Sequence, residues 1–268
     1  MHIHFLDPYL ERQSPLHRLD PRVKLVLTLA FILTTTLVPA GVWPAYILLL
    51  ALVLSVEILS ELGVGYVLKR SLLALPFVLA AFPLVFTMEG APLLKVAIFS
   101  WRLTASIEGL ERFASIAVKS WISVQAAILL ASSTPFPELL VAMRLVRIPR
   151  LLVAIFGLMW RYLFVLADEA LRLMRARLAR SSASGLPGAK TGRSVLFRAR
   201  VTGGMAGNLF LRAFERSDRI YMAMLSRGYD GEVRSLPLAN IRPVHGWVLA
   251  IGLGTLAAIL GLSYLFSL

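Results

Sequence analysis

From Leu25 to Val56 the chain carries no charged side chain, and only Pro39, Gly41 and Pro44 in "LVPAGVWP" interrupt an otherwise apolar run. Few folds are open to such a stretch. A helix that crosses the hydrocarbon of a bilayer needs roughly 20 mostly apolar residues, so this run is long enough for two. A break rich in proline and glycine at its middle marks a turn. The run is therefore read as a hairpin of two spans, at 23–39 and 43–60.

The same signal recurs along the chain. An uncharged window from Ser71 to Met88 follows Lys69 and Arg70, another runs from about Phe113 to Ser133 with Lys119 near its start, and a last one covers His245 to Leu268. Hydrophobic residues make up 58% of the 268 positions and charged ones only 16%, well beyond the roughly 45–50% apolar content of soluble domains. The expected fold is an all-α integral membrane protein with about five transmembrane helices. Four spans (23–39, 43–60, 71–88 and 113–133) lie within an N-terminal region 1–133, a helical region 134–243 follows, and 244–268 forms a C-terminal transmembrane helix.

Charge sets the orientation. Lysine and arginine outnumber aspartate and glutamate 28 to 15, a net charge of +13, and in membrane proteins such an excess marks cytoplasmic segments rather than nucleic-acid binding. Arg12, Arg18, Arg22 and Lys24 precede the first span while the turn after it is uncharged, so the N-terminus is expected in the cytoplasm. Four spans then return the chain to the cytoplasm near residue 134, the long basic stretch lies on the side the rule demands, and a fifth span leaves the C-terminus outside. One segment strains this count: "LLVAIFGLMWRYLFVLA", 151–167, is apolar enough to cross with Arg161 as its sole charge. Crossing would export the arginines that follow, so it is read as a helix at the cytoplasmic face.

The region 134–243 divides into three helical pieces. "TPFPELLVAMRLVRIP" opens with Thr134 as a helix N-cap and a proline-rich first turn, and Pro149 stops it. A second piece runs from about Leu151 through Arg180 and a third from about Gly203 to Arg227, with Asp168 and Arg172 in one and Glu215 and Arg219 in the other at the spacing of helical ion pairs. Between them "SASGLPGAKTGRS" reads as a flexible basic loop. The two long pieces end alike, in Ala179-Arg180-Ser181 and in Ser226-Arg227-Gly228, with Gly228 placed as a helix C′ glycine.

An arginine in a last turn is favoured by the helix dipole and can cap free carbonyls, which accounts for one such terminus. Two matched ones, each a small residue, an arginine and a small residue, also suit a helix tip that enters a narrow pocket and pairs with carboxylates there. Catalytic patterns are missing. The four histidines, His2, His4, His17 and His245, form no spaced pair with a carboxylate on a helix, cysteine is absent, and "GLPGAKTG" is not a phosphate loop. No catalytic residue, cofactor site or metal site is assigned. Glu57, Glu61 and Lys119 lie near span ends, where side chains can reach the interface, so the spans lack the buried polar relay of a self-sufficient carrier.

"LHRLDPRVKLVLTLAFIL" (Leu16 to Leu33), "ARLARS" (Ala176 to Ser181) and "LFLRAFERSDRIYMAMLSRGYDGE" (Leu209 to Glu232) together resemble the transmembrane T component of energy-coupling factor (ECF) transporters, in its CbiQ-like branch from cobalt uptake systems. The resemblance covers nearly the whole chain in order. It implies a multi-pass protein of a prokaryotic cell membrane whose region 134–243 is a cytoplasmic coupling module with two long coupling helices. Implied partners are two ABC-type ATPase subunits and a membrane substrate-binding (S-type, CbiM-like) subunit, and ATP hydrolysis resides in the ATPases. The implied ATPase-docking residues are Ala179, Arg180, Ser181, Ser226, Arg227 and Gly228; Ser226 departs from the family's Ala-Arg-Gly form. Asp20 and Pro21 match the family's "DPR" element and are read as a turn into the first span. The implied cargo is cobalt, with nickel next. The alternative expectation is a stand-alone cation channel or carrier.

Overall fold

The computed structural model describes residues 8–88, 91–98, 101–146, 148–180, 195–230 and 243–267. Two compact units divide the chain, one formed by 147–237 and the other by 2–146 together with 238–268.

The larger unit is built on helix α1 (Pro21–Leu37), α2 (Trp43–Leu59), α6 (Ile107–Ser133) and α10 (Pro243–Ser267). The Asp20 carboxylate accepts from the Arg22 N–H at 2.9 Å, and Pro21 fills the first turn, so the "DP" pair is a helix cap that starts α1. Within α1, the hydroxyls of Thr34, Thr35 and Thr36 each donate at 2.8 Å to the carbonyl four residues back. None of these three hydroxyl protons is then left unsatisfied in an apolar setting. Gly41, at φ +87°, makes the turn into α2. Its N–H donates to Ser115 Oγ at 3.2 Å, and Tyr46 donates to the Pro39 carbonyl at 2.7 Å.

Long-range bonds fix helix directions. Lys24 near the start of α1 meets Ser133 at the end of α6, while Lys119 on α6 meets Thr36 and Val38 at the far end of α1, so the two run antiparallel. α10 runs parallel to α1: a Cβ on Gly252 would stand 2.6 Å from Leu27, and Tyr264 donates to the Leu37 carbonyl at 3.4 Å. α1 packs on α6 and α10, and α2 packs on the same two helices. The four make a ring around a core that includes Phe31, Leu49, Val53, Ile122, Leu129 and Leu256.

Between α2 and α6 the expected single span 71–88 is instead a series of short pieces: α3 (Val64–Ser71), a 3₁₀ turn (Leu72–Ala74), α4 (Leu75–Leu79) and α5 (Leu84–Thr87). Pro76 starts α4 and Pro83 caps α5, and each lacks the N–H that would carry a continuous helix through. The series nonetheless runs along the first half of α6, since Trp121 Nε1 donates to Ser71 Oγ at 2.8 Å and Gly109 abuts the Leu84 and Val85 carbonyls. An antiparallel hairpin then joins α5 to α6, with β1 (Pro92–Ile98) paired to β2 (Trp101–Ser106). It adds a small strand element to an otherwise helical fold. α6 starts six residues before the expected 113, at a Ser106 cap whose Oγ accepts from the Gly109 N–H at 3.0 Å.

α7 (Phe136–Leu145) packs on α1 and belongs to the larger unit. The compact-unit boundary thus falls after residue 146, whereas the composition change suggested 134. Its N-cap position is Pro135, without a side-chain cap; Thr134 instead terminates α6, with its Oγ1 buried and unpartnered.

The second unit holds α8 (Arg150–Arg180) and α9 (Val195–Leu225), each of 31 residues. α9 begins eight residues before the expected Gly203. The loop 181–194 between them lies outside the described residues.

Candidate functional site

The paired triplets end the two helices of the second unit. Ala179 and Arg180 are the last residues of α8, and Ser181 lies outside the described residues. Beyond α9, Ser226, Arg227 and Gly228 form a turn. The Tyr229 N–H donates to the Met224 carbonyl and the Gly228 N–H to the Leu225 carbonyl, both at 3.0 Å, with Gly228 at φ +77°. This is a Schellman cap, in which a left-handed glycine lets the chain fold back on carbonyls the helix leaves open. Gly228 therefore does what its position in sequence requires.

The cap also decides what Ser226 presents. Its hydroxyl donates to the Ala223 carbonyl at 3.0 Å, within its own helix. A serine so satisfied offers nearly the outline of an alanine. Arg227 beside it is exposed.

Three contacts give the direction of the pair. Arg177 donates to Thr202 Oγ1 at 3.0 Å, and Glu169 bridges Arg212 at 3.1 Å and Arg216 at 3.4 Å. Moving back along α8 moves forward along α9, so the helices cross antiparallel. Arg180 stands eleven residues beyond Glu169, and Leu225 nine to thirteen beyond the two arginines. At ~1.5 Å per residue each tip lies ~15–20 Å from the crossing, on opposite sides. The triplets thus share one unit without sharing a site: they are its two poles.

The carboxylate that joins the helices is not one that spacing picks out. Asp168 and Arg172, and Glu215 and Arg219, make no ion pair among the described residues, whereas Glu169 serves two guanidiniums from a helix more than forty positions away. Local periodicity carries no signal for such a contact. The charged groups in the ring are likewise structural in placement. Lys24 Nζ donates to the carbonyls of Ser133 (3.0 Å) and His17 (3.4 Å), and Lys119 Nζ donates to those of Thr36 (3.3 Å) and Val38. Lys119 does not snorkel; it caps α1. Among the described residues no group of three or more His, Cys, Asp or Glu is placed to hold a metal ion.

Three described helices are long and apolar enough to cross a membrane: Ile107–Ser133, Arg150–Ala179 and Pro243–Phe266; Trp43–Leu59 is a shorter apolar helix. Length and composition admit α8 to that set. The ring adds a count, because α6 runs against α1 and α10 runs with it. The chain therefore leaves α6 and re-enters α10 at the same end of the ring.

A sequence model of the cobalt transport protein family CbiQ matches residues 12–237. The chain is 29% identical over 237 residues to the ECF transporter transmembrane protein EcfT of Lactococcus lactis subsp. cremoris, covering 83% of each protein. It is 30% identical over 184 residues to the cobalt transport protein CbiQ of Rhodobacter capsulatus, covering 67% of this chain and 70% of that one. A putative fused cobalt transport protein CbiMQ of Methanocorpusculum labreanum is 27% identical over 85% of this chain and 37% of its own length.

Proposed function

The chain belongs to the CbiQ cobalt transport protein family, the CbiQ-like T components of ECF transporters, and on that premise we propose that it couples two partner ABC-type ATPases to metal uptake through a separate S-type, CbiM-like membrane subunit. The observation that carries this reading is the polar separation of the triplets. Two equal helices, pinned where they cross, present Ala179 and Arg180 at one pole and Ser226-Arg227-Gly228 at the other. One ATPase at each pole is the arrangement such a body serves, with each arginine entering an acidic pocket. Closure of the ATPases on ATP moves both tips, and the unit passes that motion to the spans and so to the substrate subunit.

In this reading the N-terminus and the unit carrying α8 and α9 are cytoplasmic. Support comes from the arginine-rich composition of 172–200 and from the common end at which α6 is left and α10 entered, which requires an even number of crossings between them. The segment 151–167 then has no lone crossing to make. The family name and the Rhodobacter relative favour cobalt as cargo, with nickel next, and the fused Methanocorpusculum relative supports a CbiM-like partner. The S-type subunit selects the metal.

Uptake of radiolabelled cobalt by cells expressing the complete transporter tests the proposal. Arg180→Glu and Arg227→Glu should each lower ATPase recovery with the purified complex and reduce ATP-driven uptake while the protein still reaches the membrane. Normal uptake in both variants would overturn it. Metal flux into liposomes holding this chain alone would favour the stand-alone channel.

A further inference from the structure

The ring of α1, α6, α2 and α10 is not filled along its whole length. Toward the end where Lys24 meets Ser133 it leaves a cavity of about 510 Å³, open on one side past the exposed Leu59 and Ile251, to which every helix contributes a wall: Leu27 from α1, Val53 from α2, Leu129 from α6 and Leu256 from α10. The lead-in segment, through Pro15, Leu16 and Leu19, lines it at that end. On α1 the walls run from Lys24 to Phe31, ~10 Å at the helical rise, so the slot follows the helices for about a third of a ~30 Å hydrocarbon core.

Water is a poor occupant, because it needs two to four polar partners. The Thr255 hydroxyl is spent on the Gly252 carbonyl at 2.8 Å and the Ser133 carbonyl already accepts from Lys24, so beside Lys24 the Thr28 and Ser133 hydroxyls are the polar side-chain groups left in an otherwise apolar wall. Nothing but Lys24 brings charge to the lining. Its ammonium has three protons, two of them directed at the Ser133 and His17 carbonyls. Asp20 and Glu138 act on it electrostatically, yet no carboxylate among the described residues reaches ion-pair distance. A slot that is apolar along its length, parallel to the spans and headed by a buried cation fits a long hydrocarbon chain with one anionic end.

We propose that the cavity holds one acyl chain of an anionic phospholipid, whose headgroup is drawn to Lys24. The lipid completes the packing of the ring where α1 and α2 stand apart.

Full-length protein extracted in mild detergent from membranes containing phosphatidylglycerol and phosphatidylethanolamine should show, by native mass spectrometry, one retained phosphatidylglycerol. Ala126→Phe and Thr28→Phe, which fill the slot from two different walls, should abolish retention. Lys24→Met should keep a lipid but lose the anionic preference by ~5-fold, the factor expected for one basic residue at a membrane surface. As a measurement that leaves the slot walls unaltered, the spectrum of a nitroxide label on Ser14→Cys, beside the lining residue Pro15 in a chain without other cysteines, should be broadened by phosphatidylglycerol carrying a second nitroxide on its headgroup. Absence of retained lipid and of broadening in folded protein, unchanged retention in both filled variants, or an undiminished anionic preference in Lys24→Met would overturn the proposal.

Discussion

Lys24 on α1 donates from Nζ to the carbonyl of Ser133, the last residue of α6, at 3.0 Å. The pair has a counterpart at the other end of the same two helices, where Lys119 on α6 donates to the carbonyls of Thr36 and Val38 around the end of α1. Each antiparallel helix thus supplies a cation to the negative pole of the other. A helix end in an apolar setting has no water for its last carbonyls, and a cation there also answers the helix dipole.

Lys24→Met should therefore destabilise the protein by roughly 1–3 kcal/mol, the cost of a buried acceptor left without its donor. Lys119→Met should cost a similar or smaller amount because that side chain is less buried. The two sites are far enough apart for their effects to add. Thermal denaturation in detergent of the single and double variants measures this, and an unchanged midpoint for Lys24→Met would exclude a capping role.

Glu57 makes the opposite case. It is fully buried on α2, and neither carboxylate oxygen has a hydrogen-bond partner. Glu57→Met keeps the volume and removes a desolvated polar group, so it should leave the melting midpoint unchanged or raise it. A marked loss of stability would reveal a partner for the carboxylate in the working assembly.

His17 ties the lead-in segment together. Its Nε2 faces the Leu10 carbonyl at 3.0 Å and so carries the proton of the neutral ring, which leaves Nδ1 to accept from the Ser14 hydroxyl at 2.7 Å. Partial burial pushes the imidazole pKa below its ordinary 6.5, against a smaller upward pull from the Leu10 bond. A lowered pKa means the unfolded segment binds more protons, so the contribution is complete above about pH 6.5 and weakens as pH falls through the folded value. After correction for intrinsic rates, exchange at the Leu10 amide, which donates to the Ser132 carbonyl, should accelerate on going from pH 7.5 to 5. His17→Gln should flatten that dependence.

At the second pole, Gly228→Ala should cost ~1 kcal/mol through left-handed strain and loosen the amides of 226–229 in hydrogen exchange. Gly228→Asn should recover part of it. Ser226→Ala should change neither exchange nor uptake, since its hydroxyl bonds only within α9.

The Glu169 bridge is expected to hold the crossing angle rather than to add much stability, because Arg212 is more than half exposed. The chain has no cysteine, so spin labels at Ala179→Cys and Arg227→Cys report the tip-to-tip distance directly. It should centre near ~30–40 Å. Glu169→Ala should broaden the distribution, and a pair of swaps, Glu169→Arg with Arg216→Glu, should narrow it again.

Long uncharged runs made α1, α2, α6 and α10 readable from sequence to within a few residues, because a bilayer imposes one rule on all of them. The stop at Gly228 was readable for a local reason also: a glycine after a small residue and an arginine ends a helix whatever surrounds it. What escaped is what depends on partners distant in the chain. Pro76 and Pro83 sit in a window apolar enough to be a span, and only the backbone shows that they divide it. The 92–106 hairpin follows no charge or length rule. Lys24 looked like an orienting charge and Lys119 like a residue reaching for the interface, since nothing local reveals that a carbonyl some eighty to a hundred and ten positions away is waiting. The antiparallel sense of α8 and α9, which makes the triplets poles instead of neighbours, rests on Glu169 and its two arginines.

The place of α10 between α1 and α2 bears on the order in which the protein is made. α1 and α2 emerge from the ribosome first, yet the helix that joins them into a ring is synthesised after α8 and α9. Until then the α1 face around Leu27, which Gly252 later meets at close range, is open to lipid or to an insertion chaperone. The ring thus closes only once α10 has been made, and termination before residue 243 leaves it open along one side.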